Sequence, residues 1–290
     1  MNKRDEYHLL RTGYREAEKI TKIHSHSFYC ASLLLPPRIQ KAAYSIYAVC
    51  RLSDEAVDSS SPQSQVAGLN KIREKVAQAY SQKTIADPLG TAFQKTVRDH
   101  HIPQEYFNVL FTGMIADLTK NRYKDFNELY EYCYEIAGIV GLMMLSIFEY
   151  TSPEAKKYAV DLGIAMQLTN IIRDINEDLA RGRIYLPQDE MARFNISEDT
   201  LREKQVTPDF KAFMQFQIQR AHEYYSSAAK GIPLLRGKRV RFVSTAMKEF
   251  YEGILTVIEK KRYDIFSGRA YTTAAQKAVI TLKILGKAHR

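Results

Sequence analysis

Two short acidic segments, Asp54-Glu55-Ala56-Val57-Asp58 and Asp174-Ile175-Asn176-Glu177-Asp178, lie 120 residues apart, and each carries aspartates at i and i+4. On a helix that spacing stacks both carboxylates on one face, about 6 Å apart. Like charges so arranged destabilise a bare helix, so a positive partner is required. A hard divalent cation is the natural one, Mg²⁺ above all when phosphate oxygens complete its octahedron. The spacing alone says little, because 33 acidic residues in 290 supply about four such pairs by chance. Glu131 and Glu135 form another, read as solvated or structural. The aspartate clusters differ in their company: Arg51 lies one turn before Asp54, Arg173 precedes Asp174, and Asn170 extends the second cluster into a line of three oxygen ligands, Asn170, Asp174 and Asp178. Bases beside acids also make ordinary salt bridges, and the residues alone leave that reading open. Facing helices in a bundle core are nevertheless how carboxylate metal sites are built.

The elements that must carry these groups are helices. Helical periodicity runs through almost the whole chain, and strand alternation is almost absent. Breakers at Ser61-Pro62, Asp87-Pro88, Ile102-Pro103, Ser152-Pro153, Tyr185-Leu186-Pro187, Thr207-Pro208 and Gly231-Ile232-Pro233 cut it into long pieces. Ser152 and Thr207 stand where helix caps belong, each before a proline suited to the first turn. With no Gly/Ser linker, low-complexity tract or repeat, one all-α domain over residues 1–290 is expected.

Composition narrows the function. The chain is 45% hydrophobic and 26% charged, enough for a substantial core. Its net charge of +9 suits nucleic acid, an anionic membrane or an acidic small molecule. Because bases and acids are mixed along most of the chain, nucleic acid is not expected as a partner. Cys30, Cys50 and Cys133 are odd in number and widely spaced, against a disulfide framework or zinc site. The N-terminal MNKRDEYHLL lacks the apolar core of a signal peptide, so a cytoplasmic setting is expected. The longest apolar run, Gly138 to Phe148, reads as a buried core helix, too short to span a bilayer. Val279, Ile280, Leu282, Ile284 and Leu285 alternate with Lys277, Lys283, Lys287 and Arg290 in a C-terminal helix, either a packed terminal helix or one lying on the inner face of a membrane.

Longer motifs frame the clusters. His24-Ser25-His26-Ser27-Phe28 is followed by Leu33-Leu34-Leu35-Pro36; Tyr47-Ala48-Val49-Cys50-Arg51-Leu52-Ser53 leads into the first cluster; and Gln167 to Pro187 reads QLTNIIRDINEDLARGRIYLP. In this order they resemble the signatures of squalene/phytoene synthases, the last being most similar to bacterial phytoene and dehydrosqualene synthases. The resemblance implies a class I isoprenoid synthase-type helical bundle with a central apolar cavity. It implies head-to-head condensation of two prenyl diphosphates through a cyclopropylcarbinyl diphosphate: geranylgeranyl diphosphate to phytoene, or alternatively farnesyl diphosphate to dehydrosqualene or squalene. NADPH enters only if the product is squalene. Asp54, Asp58, Asn170, Asp174 and Asp178 are then the ligands of Mg²⁺, or of Mn²⁺. Arg51, Arg173, Arg269, Ser25 and Ser27 meet the diphosphates, Gln167 stands beside the metal helix, and Arg183 and Tyr185 belong to a segment covering the site. Tyr47, Tyr132 and Tyr251 are expected near the reacting carbons.

His26 departs from the pattern, since many relatives carry lysine or another base between the two serines; His24 reads as structural. Gly138 and Gly141 either bring backbones close or leave a channel, with Val140, Leu142 and Met143 as candidate lining. Ser32, small one turn beyond Phe28, favours the longer substrate. A chain-elongating prenyltransferase or terpene cyclase would show a D-D-x-x-D motif, absent here. A non-catalytic assembly factor of the same fold should have lost the acidic and basic residues that this sequence keeps.

Overall fold

A computed structural model describes residues 3–57, 61–81 and 85–288. The segments between breakers fold as helices. Helix α1 (Lys3–His24), the short α2 (His26–Ser32) and α3 (Pro37–Val57) open the chain, followed by α4 (Pro62–Tyr80), α5 (Pro88–Asp99) and α6 (Gln104–Asp117). Ser61 caps α4 by accepting the Ser64 N–H at 3.2 Å, and Asp87 caps α5 by accepting the Gly90 N–H at 2.9 Å. A proline in each first turn adds no loss, since its missing N–H would have no helical partner there. Helix α1 packs on α3 and α5, with Ala17 and Thr21 fully buried.

Strand β1 (Arg122–Tyr123) leads into one long helical run made of α7 (Phe126–Cys133), a π-helical turn (Tyr134–Gly138) and α8 (Ile139–Phe148). Helices α9 (Ala155–Arg173) and α10 (Ile175–Ala180) follow, then β2 (Ile184–Pro187), α11 (Gln188–Arg193), α12 (Glu198–Arg202) and α13 (Pro208–Ala229). A 3-10 turn (Ile232–Leu234) precedes α14 (Lys238–Lys260) and α15 (Ala274–Ala288). Thr207 caps α13 as expected, accepting the Phe210 N–H at 3.1 Å. Helix α9 starts later than its sequence signal, at Ala155, because the Ser152 hydroxyl accepts the Glu154 N–H in a local turn instead of opening the helix. The segment before Pro187 is a strand rather than a breaker. It pairs in parallel with β1, and at two and four residues the pair is too short to show alternation in the sequence.

The run 126–148 is, by length and composition, one helix capable of crossing a membrane. Here it packs against α6 and α9 and buries Leu129, Tyr132, Ile139, Met143 and Ile147. Gly141 both meets α9 closely and lines an apolar cavity, whereas a Cβ on Gly138 would meet the Tyr134 and Val160 side chains. A Cβ on Gly141 would lie 2.2 Å from the Ala159 carbonyl oxygen, and one on Gly163 would lie 2.2 Å from that of Ala137. The run and α9 therefore touch backbone to backbone, which only glycine permits. All three cysteines are free.

Candidate active site

A cavity of about 370 Å³ lies among α3, α6, α8, α9 and α14. Most of its wall is apolar, including Phe28, Met114, Val140, Met144, Phe148, Leu162, Leu235 and Met247. Six residues singled out from the sequence also line it: Ser25, Tyr47, Asp54, Gln167, Asn170 and Tyr251. They gather toward one end. Tyr47 feels Ser25, Arg51, Tyr251 and Asp54, while Tyr251 feels Arg173, Asp174 and Arg269. Asp54 on α3 and Asn170 on α9 thus share one cavity, the juxtaposition that facing metal-binding helices require. Of the expected lining residues only Val140 contributes; Leu142 and Met143 turn to the neighbouring core, where Met143 is fully buried. Ser32 does not line the cavity either: its hydroxyl oxygen lies 2.7 Å from the Tyr44 hydroxyl and 2.8 Å from the Tyr29 carbonyl oxygen.

The second acidic cluster is not one straight helix. The chain bends at Asp174 (φ −101°, ψ 12°), separating α9 from α10. The ladder survives the bend, because the Asp174 N–H donates to the Asn170 carbonyl and the Asp178 N–H to the Asp174 carbonyl, both at 2.8 Å. Asn170, Asp174 and Asp178 so keep helical spacing. Arg269 grips the Asp174 carboxylate with two 2.9 Å hydrogen bonds, and Arg173 grips it from the other side. Burial alone would raise the Asp174 carboxyl, but the two guanidiniums outweigh it and hold the group below the usual carboxylate range. Asp178 goes the other way, its carboxyl pushed up to about 7 by burial and then by the Asp174 charge.

Among the described residues no three His, Cys, Asp or Glu side chains converge on one point. The donors are divided between α3 and the α9–α10 bend, and Asp58 lies outside the described residues. Such a divided set suits Mg²⁺, which takes one or two carboxylates plus phosphate oxygens in preference to an all-protein cage.

Other cations border this end. Arg51 turns to Glu55 (3.1 Å), which also meets His24 at 3.4 Å, tying α1 to α3. Ser27 receives a 2.5 Å hydrogen bond from Lys277 of α15, whose ammonium burial pushes below its ordinary range. His26 is exposed beside the Cys30 thiol at 3.5 Å. The sequence offered Lys277 only as one cation of an amphipathic helix, and nothing near it pointed to Ser27 as its partner.

The remaining expected residues form a separate group. Tyr132, Tyr185 and Tyr123 are buried in a stack, with the Tyr132 and Tyr185 rings 5.2 Å apart and 19° from parallel. None of them lines the cavity. The Tyr185 hydroxyl donates to Asp117 at 2.6 Å, and Arg183 pairs with the same carboxylate at 3.4 Å. Sequence reasoning missed Asp117. Its one signal is a negative charge in the last turn of α6, where the helix dipole disfavours it.

Residues 21–276 match a family model described as squalene/phytoene synthase. The chain is 37% identical over 281 residues to a 15-cis-phytoene synthase of Synechococcus elongatus, covering 92% of this chain and 91% of that one. It is 36% identical over 279 residues to a phytoene synthase of Arthrospira platensis, covering 91% and 90%. A solved dehydrosqualene synthase in complex with ligand superposes with a TM-score of 0.90 at 28% identity, covering 98% of this chain and 99% of that one.

Proposed function

This chain belongs to the squalene/phytoene synthase family, and on that premise we propose that it joins two molecules of geranylgeranyl diphosphate head to head, giving phytoene by way of a cyclopropylcarbinyl diphosphate. The observation that carries this reading is the cavity whose polar end holds Asp54 of α3 and Asn170 of α9 while the rest of its wall is apolar. A prenyl diphosphate has the same division: a charged head and a long hydrocarbon tail.

Diphosphate leaves poorly until the charge it gains as the C–O bond breaks is stabilised. Asp54, Asn170, Asp174 and Asp178 would hold Mg²⁺, or Mn²⁺ in its stead, which supplies Lewis-acid stabilisation of that charge. Asp58 completes the sequence set but lies outside the described residues. Arg173 and Arg269, fixed by Asp174, add permanent positive charge, and Lys277, fixed by Ser27, adds a further cation. Ser25 and Arg51 belong to the same end, and Gln167 accepts a 3.3 Å hydrogen bond from Asn170. The cation left on carbon needs dry, electron-rich surroundings. Tyr47 and Tyr251 supply aromatic faces, and burial pushes the Tyr47 hydroxyl up to about 12, keeping it neutral. Asp117 acts indirectly in this scheme, bracing Arg183 and Tyr185 in the segment after α10.

Farnesyl diphosphate giving dehydrosqualene is the second reading, supported by the structural likeness to a dehydrosqualene synthase. The test is incubation of the purified protein with Mg²⁺ and either diphosphate, beside Asp54→Asn, followed by hydrocarbon analysis. A C40 product lost in the variant is expected. A C30 product moves the assignment to the shorter substrate, and NADPH dependence would mark squalene. Consumption of neither substrate overturns the catalytic reading in favour of an assembly factor.

A further inference from the structure

Helix α15 is covered on one side only. Ile280 and Ile284 pack into a cluster that includes Ala31, Leu35 and Phe250, and Lys277 reaches Ser27 of α2. The opposite face is apolar yet open: Val279 is 51% exposed, Leu282 67% and Leu285 43%, with Ala275 and Ala278 exposed between them. The turn after α2 reaches the same cluster from another element. There Leu33 and Leu34 are half exposed, immediately before the Leu35 that packs in the same cluster as Ile280 and Ile284. Two neighbouring elements therefore present leucines outward, where a water-facing helix would carry polar groups.

Charge identifies what would cover them. Residues 19–53 and 269–290, the stretches that contain these elements, hold ten Lys or Arg and no Asp or Glu. The whole chain carries +9, so these two stretches account for its entire excess and the remainder is close to neutral. A second copy of the same face would oppose like charges, which disfavours self-association. Arg51 and Arg269 pair with Glu55 and Asp174; the other bases, in stretches that bear open leucines and no acid, match an anionic bilayer, whose headgroups attract the cations and whose acyl boundary takes the side chains.

We propose that the outer face of α15 and the Leu33-Leu34 turn form a docking surface for an anionic lipid membrane. The surface lies beside the polar end of the cavity, since Ser25 lines the cavity while Ser27 holds Lys277 of α15. Docked this way, the protein meets amphiphilic substrates where they partition and releases an apolar product toward lipid. That benefit rests on the proposed reaction, whereas the docking surface does not.

The test uses the full-length protein without substrate, floated with vesicles of phosphatidylcholine alone or mixed with phosphatidylglycerol. The wild type is expected to float with the mixed vesicles, less so in high salt. Leu282→Glu/Leu285→Glu and, separately, Leu33→Glu/Leu34→Glu are each expected to lower partitioning by more than about tenfold, with unchanged circular dichroism. No flotation of the wild type, or equal flotation of both folded variants, overturns the proposal. So does a dimer in sedimentation velocity that Leu282→Glu/Leu285→Glu breaks while nothing floats, an outcome that gives the face to a second copy. Because flotation needs no turnover, its failure leaves the catalytic reading standing.

Discussion

The Tyr185 hydroxyl donates a 2.6 Å hydrogen bond to Asp117, a residue 68 positions earlier, and the same carboxylate pairs with Arg183 at 3.4 Å. Asp117 ends α6, whereas Arg183 and Tyr185 flank the start of β2. One carboxylate thereby fixes the loop that leaves the second acidic cluster. Its charge also helps keep the stacked tyrosines neutral, although burial is the larger cause.

Replacing Asp117 by Asn keeps the shape and removes the charge. A hydrogen bond to a charged group contributes about 1.5–3 kcal/mol to stability, so the melting temperature is expected to fall by several degrees, with turnover falling as the loop loosens. Tyr185→Phe should match it, and the double variant should lose little beyond either single change. Additive losses in that cycle would mean the two residues act separately.

Lys277→Met removes the cation from Ser27 without removing the bulk of the side chain. The expected result is a rise in KM of about tenfold or more, the loss of one charge-assisted contact, with kcat less affected. A pure fall in kcat at constant KM would count against a binding role.

Gly163→Ala introduces a methyl 2.2 Å from the Ala137 carbonyl oxygen, a contact that backbone alone cannot relieve. Overpacking of this kind destabilises by about 1–3 kcal/mol. Chemical denaturation should register it as a lower midpoint, and activity should suffer too, because Gly163 lines the cavity.

His222 sits 2.9 Å from Glu252 across α13 and α14, with Lys248 on Glu252 from the same helix. The hydrogen bond to Glu252 raises the imidazole above its ordinary value, Glu259 adding to the effect and Lys248 opposing it. A raised histidine stabilises the fold fully below its unfolded pKa near 6.5, and the contribution fades as pH rises through the folded value. Burial tends to raise Glu252, but His222 and Lys248 hold it down, so its share is lost as pH falls toward acid. The melting-temperature gap between wild type and His222→Gln should therefore be widest near pH 6 and shrink toward pH 9. A gap that grows with pH would contradict this pairing.

What the sequence displayed was local. The i, i+4 spacing around Asp54, and the line Asn170, Asp174, Asp178, could be read directly, because helical geometry converts short spacings into shared faces. The cap at Thr207 was equally legible, whereas the one expected at Ser152 gave way to a local turn. Lys277 on Ser27 spans 250 residues, and Asp117 on Tyr185 spans 68. Such pairs depend on how helices pack, which no short spacing encodes. The same limit explains Leu142, Met143 and Ser32: their helices follow from periodicity, but which side meets the cavity depends on neighbours distant in sequence. Tyr185 was read as part of the site from its motif and Tyr132 from the family resemblance, and only packing reveals the Tyr123 stack and its anchor on α6.

The π-helical turn at Tyr134–Gly138 widens one turn of the long run between α7 and α8. Ahead of it, Leu129, Tyr132 and Cys133 belong to the core built on α9 and α13; beyond it, Ile139, Met143 and Ile147 belong to the core shared with α3 to α6. A single unbroken helix is thus the spine of both halves, its phase shifted midway so that each half receives an apolar stripe. Neither core can melt without stripping that helix from the other, so on heating the two halves should lose their structure together.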